Sequence, residues 1–347
     1  MDALLPSPTP TFVQQEPELQ PTDNQLSDDM WDPDVPQAST SVQPSSRRVE
    51  DNNTKPPHGF PILEFISPPI THTPSGSGKT SLIYLITALS ILPPSISSVS
   101  LDGQNAAVVV LDPLSHFNVS RLAEVCISLI LSKITDLVHR KSMKTQIKEV
   151  VKNALIHVHI FCPTSWEEMI DSLKGMPEYL FDGTRHQSMQ RRVRNIVVED
   201  VDAFYWDIRS APSTHSTSPL TTASARLTHA LLSLSSQLSA AIVLSSHSGA
   251  SSPKLFRAPI PLSTSWPSHV QVTRLAVRRV EVLRFAPEIS VEEAERERGQ
   301  RWGVVKRGRF ECRKVSGVGD VKNKENDGGG FVFRVREGVE VEKEERR

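Results

Sequence analysis

Residues 75–81 of the chain read Ser-Gly-Ser-Gly-Lys-Thr-Ser, between an apolar run that begins at Ile62 and a long apolar segment, Leu82–Leu92. A strand that turns through glycines into a helix directs several backbone N–H groups at one spot, where a triphosphate can bind. In such a P-loop the lysine contacts the outer phosphates and the next hydroxyl holds Mg²⁺. The pattern therefore predicts nucleotide binding by Gly76, Ser77, Gly78, Lys79, Thr80 and Ser81, with Thr80 as the Mg²⁺ ligand.

The residues before this motif depart from the full pattern Gly-x-x-x-x-Gly-Lys-Ser/Thr. Its first glycine would stand five residues before Gly78, and the chain has Thr73 there, followed by Pro74. Glycine allows a tight turn that threonine adopts only with strain. Two interpretations remain open: either the stretch 67–74 bulges outward and Gly76 makes the turn, or the loop is impaired in nucleotide binding.

The composition bounds the class of protein. The 347 residues suit one large domain or two small ones, and 38% of them are apolar, below the average of a globular chain. The formal net charge of −1 argues neither for nor against nucleic acid, and three widely spaced cysteines fit a reducing compartment. No apolar stretch reaches the roughly 18 residues of a membrane span, and the N-terminus lacks a signal-peptide pattern. We expect a soluble intracellular protein without membrane contact.

The chain divides by composition into four parts. Residues 1–57 are rich in proline, serine and acids, and such a segment buries too little apolar surface to offset its ordering entropy, so we expect a disordered acidic leader. Residues 58–286 are expected to form the core, residues 287–330 a charged flexible insert, and residues 331–347 a last strand with a charged tail.

Apolar runs and helical periodicities alternate along the core, which predicts an α/β fold with a mostly parallel sheet covered by helices on both faces. The predicted strands are Ile62–Phe65, Ala106–Leu111, Ile156–Phe161, Ile196–Val198 and Ala241–Leu244. The predicted helices are Thr80–Leu92, Val119–Val138, Trp166–Leu180 and Ala223–Leu238. After residue 268 short strands, Val270–Val277, Val280–Phe285 and Phe331–Val335, predict an antiparallel C-terminal extension.

An acidic pair, Glu199 and Asp200, ends the predicted strand Ile196–Val198. P-loop proteins need an acid at the end of a neighbouring strand, the Walker B position, to orient Mg²⁺. Because ligands of such sheets bind at the carboxyl ends of the strands, we expect Lys79, Asp112 and the acidic pair at one site. The sequence leaves open which of the two acids faces the metal.

Three consecutive aromatic residues, Phe204, Tyr205 and Trp206, follow this acidic turn, with Arg209 shortly after, in a chain that is 6% aromatic. Alone, such a run is typical of a core cluster. Together with the motifs before it, the stretch resembles the RecA-like recombinase paralogues of eukaryotes. The resemblance is carried by this run, by the P-loop strand and helix, and by Leu111-Asp112 with His116-Phe117, and it covers roughly residues 57–247.

The resemblance implies a RecA-like P-loop NTPase core that binds ATP and Mg²⁺. It also implies a nuclear protein that joins other RecA-like recombinase paralogues in a hetero-oligomer and assists the strand-exchange filament in double-strand break repair by homologous recombination. We expect DNA binding to be weak or to depend on the complex, because the loops expected to face DNA, 210–222 and 248–265, offer few cations and aromatics.

Two positions depart from active recombinases. Where these have a glutamate that polarises the attacking water, two residues after Asp112, this chain has Leu114. An aliphatic side chain cannot accept a proton, so we expect no catalytic residue and little or no ATP hydrolysis. Where they have a glutamine that senses the γ-phosphate, the chain has His247, which is either a substitute sensor or an ordinary surface histidine.

Two other functions stay open from the sequence. The chain is then either an active P-loop ATPase of another class, such as a DNA-dependent motor or a kinase that uses Glu199 and Asp200, or an interaction module that no longer needs nucleotide. A further pair, His157 and His159, alternates on one predicted strand. Without a third ligand nearby in sequence, we expect no metal there.

Overall fold

The computed structural model describes residues 60–67, 76, 78–212, 218–247, 266–267, 270–280, 288–314 and 329–342, all within one compact unit, Lys55–Arg347. The expected leader at 1–57, the stretch 68–75 with Thr73 and Pro74, and Ser77 lie outside the described residues. Most of the two loops expected to face DNA also lies outside them.

A nine-stranded sheet organises the described residues, in the order β5-β4-β6-β7-β1-β8-β9-β10-β11. The first six strands of this order, β5 through β8, run parallel to one another. Strands β9, β10 and β11 each pair antiparallel with the preceding strand of the order. The strands are β1 (Ile62–Ser67), β4 (Ala107–Leu111), β5 (Val158–Phe161), β6 (Val193–Val198), β7 (Ala241–His247), β8 (Val272–Arg279), β9 (Arg309–Lys314), β10 (Gly330–Val335) and β11 (Val339–Val341), and a separate hairpin pairs β2 (Ser95–Ile96) with β3 (Val99–Ser100). The predicted α/β fold with a mostly parallel sheet and an antiparallel C-terminal part is confirmed.

Helices cover both faces of this sheet. They are α1 (Lys79–Ile91), α2 (Val119–Lys133), α3 (Leu137–Ser142), α4 (Lys144–Leu155), α5 (Trp166–Phe181), α6 (Tyr205–Ser210), α7 (Pro219–Leu238) and α8 (Val291–Lys306). Strand β4 shows why two layers form, because all five of its residues are apolar and fully buried. Val108 and Val110 pack with α1, α2 and α4, whereas Val109 and Leu111 pack with α5 and α7.

The region after α2 differs from the sequence prediction. The predicted helix Val119–Val138 ends at Lys133, where the backbone of Ile134 becomes extended. A new helix, α3, follows, and the Asp136 carboxylate before it accepts the N–H of Val138 at 2.9 Å. Helix α4, which the sequence analysis did not identify, follows and buries Ile147, Val151 and Ala154 at helical spacing.

The C-terminal part also differs in detail. Strand β8, within the range predicted to be antiparallel, pairs parallel with β1, so the antiparallel part begins at β9. The interval 287–330, expected as a charged flexible insert, contains α8, which a capping box of Ser290 and Glu293 starts, and β9, which pairs into the sheet. Residues 281–287 and 315–328 lie outside the described part of the chain.

Among the described residues, no helix is long and apolar enough to cross a membrane.

Candidate functional site

The register of the sheet brings the predicted site residues to one edge. Ser67, the last residue of β1, pairs with His247 at the end of β7, and Val198 of β6 pairs with Leu244 of β7 and with Leu111 of β4. Because all four strands run in the same direction, their carboxyl ends meet there. Asp112 and Glu199 follow the ends of β4 and β6 directly, and Lys79 is the first residue of α1, the helix that comes after β1 in the chain.

Lys79 opens α1 and its ammonium lies between the ends of β1 and β7. Its Nζ donates to the Ser67 hydroxyl and to the Ser246 carbonyl, both at 2.9 Å, and lies 3.9 Å from Asp200 Oδ1. Burial lowers the pKa of Lys79, and the carboxylates of Asp200, Asp202 and Glu199 act in the opposite direction. The lysine ammonium is therefore held at the start of α1 by a hydroxyl, a backbone carbonyl and a carboxylate, all of which a phosphate would have to replace.

Thr80 and Glu199 are in direct contact although they come from separate elements. The Thr80 hydroxyl donates to Glu199 Oε1, and the second carboxylate oxygen, Oε2, is buried without a hydrogen-bond partner among the described residues. Burial raises the pKa of Glu199 to about 7, and the carboxylates of Asp200 and Asp112 raise it further, while the Thr80 hydroxyl lowers it. A hydroxyl beside a carboxylate with one unpartnered oxygen fits the oxygen ligands that Mg²⁺ prefers. Of the acidic pair, Glu199 is therefore the one whose carboxylate contacts Thr80.

Asp200 faces the lysine instead. It adopts a left-handed backbone conformation with φ 47°, and the Ser245 hydroxyl accepts its backbone N–H at 2.9 Å. This turn places its carboxylate near the Lys79 ammonium and 3.5 Å from His116 Nδ1. His116 is one of the residues that carry the resemblance, but the motifs do not predict it as a site residue. Two adjacent acids thus serve two different partners.

His247 lies beside this acid cluster. Its Nδ1 and its backbone N–H each lie 3.2 Å from Asp202 Oδ2, and its Nδ1 is 4.0 Å from Asp200. Ligand atoms of Asp200, Asp202 and His247 lie within 4.8 Å of one another. The strand-end histidine predicted as a possible sensor is therefore placed at the edge of the site and held by Asp202, which the sequence analysis did not identify.

Asp112 has a structural role in the turn after β4. It is buried, and its Oδ2 accepts the backbone N–H of Phe117 at 2.7 Å, which shapes the path from β4 into α2. Leu114 stands on this turn with 44% of its surface exposed. This turn therefore presents an exposed aliphatic side chain, which can neither accept a proton nor orient a water molecule.

Gly78 needs to be glycine because of the C-terminal strands. Its φ is +93°, and a Cβ atom there would lie 2.8 Å from the Phe310 ring and 3.0 Å from the Phe333 ring. These two rings stack on each other with centroids 5.3 Å apart, and they come from β9 and β10. Among the described residues, no atom lies within 4 Å of a Cβ built on Gly76. Ser81 lies half-buried in the first turn of α1.

The aromatic run divides between core and surface. Phe204 is buried and packs in the core beneath α7, whereas Tyr205 is half-buried and Trp206 is 69% exposed on the short helix α6. The Arg209 guanidinium lies over the Trp206 ring at 5.3 Å. A single core cluster, which such a run suggests on its own, is therefore not what forms here.

No protein-family model matches this chain.

Several residues of the site were missed by motif reasoning. They share one signal, which is that each is polar and lies at, or within a few residues of, the carboxyl end of a predicted strand: Ser67, His116, Asp202, Ser245 and Ser246. Such residues are too common in loops to be selected without knowledge of which strand ends are neighbours.

Proposed function

We propose that the chain is an ATP-binding, RecA-like recombinase paralogue with little or no ATP hydrolysis. It would act in double-strand break repair by homologous recombination. One observation carries the nucleotide part of this proposal: the hydroxyl of Thr80, at the start of the P-loop helix, donates to Glu199, at the end of a strand 119 residues away. Thr80, which the motif assigns to Mg²⁺, is thus in contact with one of the two acids proposed for the Walker B position.

The strand order supports a RecA-like core. Strand β7 lies between the P-loop strand β1 and the acidic strand β6, so its last residue, His247, lies between the ends of those strands. Active RecA-like recombinases are expected to carry a sensor of the γ-phosphate at this strand end. A histidine N–H can donate to a phosphate oxygen once the contact between His247 Nδ1 and Asp202 is broken.

The expected roles in ATP binding follow from the contacts. Lys79 would exchange Ser246 and Asp200 for phosphate oxygens, and Thr80 with Glu199 would hold Mg²⁺, which neutralises phosphate charge when bound. Leu114 supplies no general base, and Asp112 is engaged by the Phe117 N–H. Binding without efficient hydrolysis is the chemistry that these residues support.

The cellular part of the proposal comes from the resemblance at the P-loop, the acidic strand end and the aromatic run. The chain would join other RecA-like recombinase paralogues in the nucleus as a hetero-oligomer. Contact with DNA would be weak or made through that complex. ATP would then act as a structural ligand that orders the subunit for assembly.

Thermal unfolding with and without ATP and Mg²⁺ tests the binding site. At ATP about 100-fold above Kd, linkage predicts roughly 2.7 kcal/mol of stabilisation, equivalent to about 4 °C in Tm for a unit of this size. Lys79→Ala should lose this shift. Lys133→Ala is the matched control, because Lys133 is an exposed lysine paired with Asp102 away from the site. An unchanged Tm of the wild-type protein at millimolar ATP would count against ATP binding.

Co-purification tests the assembly role. Recombinase paralogues from the same cell should bind the wild-type chain in an ATP-dependent manner, and Lys79→Ala should weaken the complex. A complex that ignores nucleotide and is intact in Lys79→Ala would instead select a nucleotide-independent interaction module.

An active ATPase is a second candidate, favoured by the acid cluster. Asp200 lies between Lys79 and His116, and the pKa of Glu199 is raised to about 7, near that of an efficient general base. Robust turnover that Glu199→Gln abolishes would favour this function. Phosphate release from ATP no faster than in buffer without the protein would exclude this function.

A further inference from the structure

Helix α6 presents three side chains to solvent that the nucleotide site does not use. Trp206 is 69% exposed, the Tyr205 ring meets it edge to face at 5.1 Å, and the Arg209 guanidinium lies 5.3 Å from the Trp206 centroid and 6.0 Å from the Tyr205 centroid. Helix α6 has no buried residue of its own, and Phe204 anchors its start in the core. We call Tyr205, Trp206 and Arg209 the aromatic platform.

The charge of the aromatic platform is positive. Among the described residues Arg209 has ring contacts and a long hydrogen bond of 3.4 Å to the Tyr205 hydroxyl, and no ion pair to a carboxylate is found for it. Successive helical residues are about 100° apart, which places Tyr205, Arg209 and Trp206 on one side of α6 and Asp207 roughly opposite. The guanidinium donors are thus available to an anion.

The size of the aromatic platform argues against a protein partner. A large aromatic side chain offers roughly 250 Å², of which 69% for Trp206 is roughly 170 Å². Even with Tyr205 and Arg209 added, the area is well below the roughly 800 Å² that each side of a stable protein interface contributes. One or two stacked bases need no larger surface.

We propose that the aromatic platform binds single-stranded DNA, with one base stacked on the Trp206 ring and a neighbouring phosphate paired with Arg209. Stacking aromatics combined with a cation are the pattern by which proteins hold single strands without sequence preference. The choice of DNA rests on the proposed repair function, whereas the stacking chemistry stands on the platform itself. The site supplies contacts from α6 in addition to those expected from the two loops.

Fluorescence anisotropy of a labelled dT20 strand at low salt tests the proposal with the full chain. Loss of one base stack is worth about 1–3 kcal/mol, so Trp206→Ala should weaken binding about 5- to 150-fold. Trp206→Phe, which keeps a ring, should lose less. Trp302→Ala is the matched control, because Trp302 is 66% exposed on α8 away from α6, and it should bind as the wild type does.

A second strand separates stacking from phosphate contacts. An abasic strand of the same length retains the phosphates, and its affinity should be lower than that of dT20 and insensitive to Trp206→Ala. Arg209→Ala should weaken both strands, and Arg209→Lys should restore much of the phosphate contact but little of the ring contact. An rU20 strand that binds more tightly than dT20 would overturn the assignment to DNA.

Several results would overturn the proposal. These are equal binding by Trp206→Ala and Trp302→Ala, abasic binding as tight as dT20, or no binding of dT20 by the wild type. A Trp206→Ala effect on self-association with unchanged DNA affinity would assign the platform to a protein contact. In each case a persisting ATP-induced rise in Tm leaves the proposed nucleotide function standing, so the two failures are distinguishable.

Discussion

Gly78→Ala probes the contact between the P-loop and the C-terminal strands. Alanine at φ +93° costs about 1–2 kcal/mol in backbone strain. Its Cβ would stand 2.8 Å from Phe310 and 3.0 Å from Phe333, and such overpacking costs about 1–3 kcal/mol more. The rings have little room to move, because they stack at 18° and Phe333 is fully buried. We expect the free energy of unfolding to fall by about 2–5 kcal/mol.

Urea unfolding measures this loss, with Gly76→Ala as the control. A Cβ on Gly76 meets no atom of the described residues within 4 Å, and its φ is not left-handed, so its alanine variant should stay within about 0.5 kcal/mol of the wild type. In the Phe310→Leu background the cost of Gly78→Ala should shrink toward the backbone strain alone, because the nearest ring is gone. A Gly78→Ala variant as stable as the wild type, or a cost that ignores Phe310→Leu, would refute this reasoning.

Three further predictions concern titration and catalysis. Burial raises the pKa of Glu199 to about 7, and the resulting stabilisation is complete below about pH 4.5. As pH rises through 7, the free energy of unfolding should fall by about 3 kcal/mol. Urea titrations of Glu199→Gln should lack this pH dependence. Burial lowers the pKa of His159 to about 4, so its contribution is complete above about pH 6.5 and about 3 kcal/mol should be lost as pH falls to 4. His159→Gln should reduce this loss of stability at acid pH, and an unchanged loss would show that other groups cause it. Leu114→Glu should raise phosphate release from ATP at least about tenfold over the wild type by restoring a general base, and no gain would mean that the turn after β4 is misplaced for catalysis.

The general fold could be predicted because its signals are local. The five apolar residues of β4 are buried on both faces, as an unbroken apolar run predicts. Strand β9 could not be identified in the same way, because the charged residues Arg309, Glu311 and Arg313 alternate with Phe310 and Cys312 and made the segment look like a polar insert. Only pairing with β8 and β10 shows that the two apolar residues face the core.

Some residues of the candidate site could be predicted from motifs, but the contacts among them could not. The motif spacing selected Lys79, Thr80 and Glu199, because the P-loop and a strand-end acid have recognisable patterns. The motif spacing could not show which partner each of Glu199 and Asp200 contacts, because this depends on the left-handed turn at Asp200 and on a hydroxyl from β7. Partners such as His116 are brought in by strand order, and strand order is not written in any one segment.

The central place of β1 in the sheet has a consequence for synthesis of the chain. Ile62 of β1 pairs with Ile242 on one side and Val272 on the other, so both neighbours of this early strand are made late. At roughly 5–20 residues per second, a nascent β1 would wait about 10 to 40 s before its first partner leaves the ribosome. During that time the apolar side chains of Ile62, Phe65 and Ile66 have no sheet to enter. The nascent chain is therefore expected to depend on chaperones, and its folding to be slow for its size.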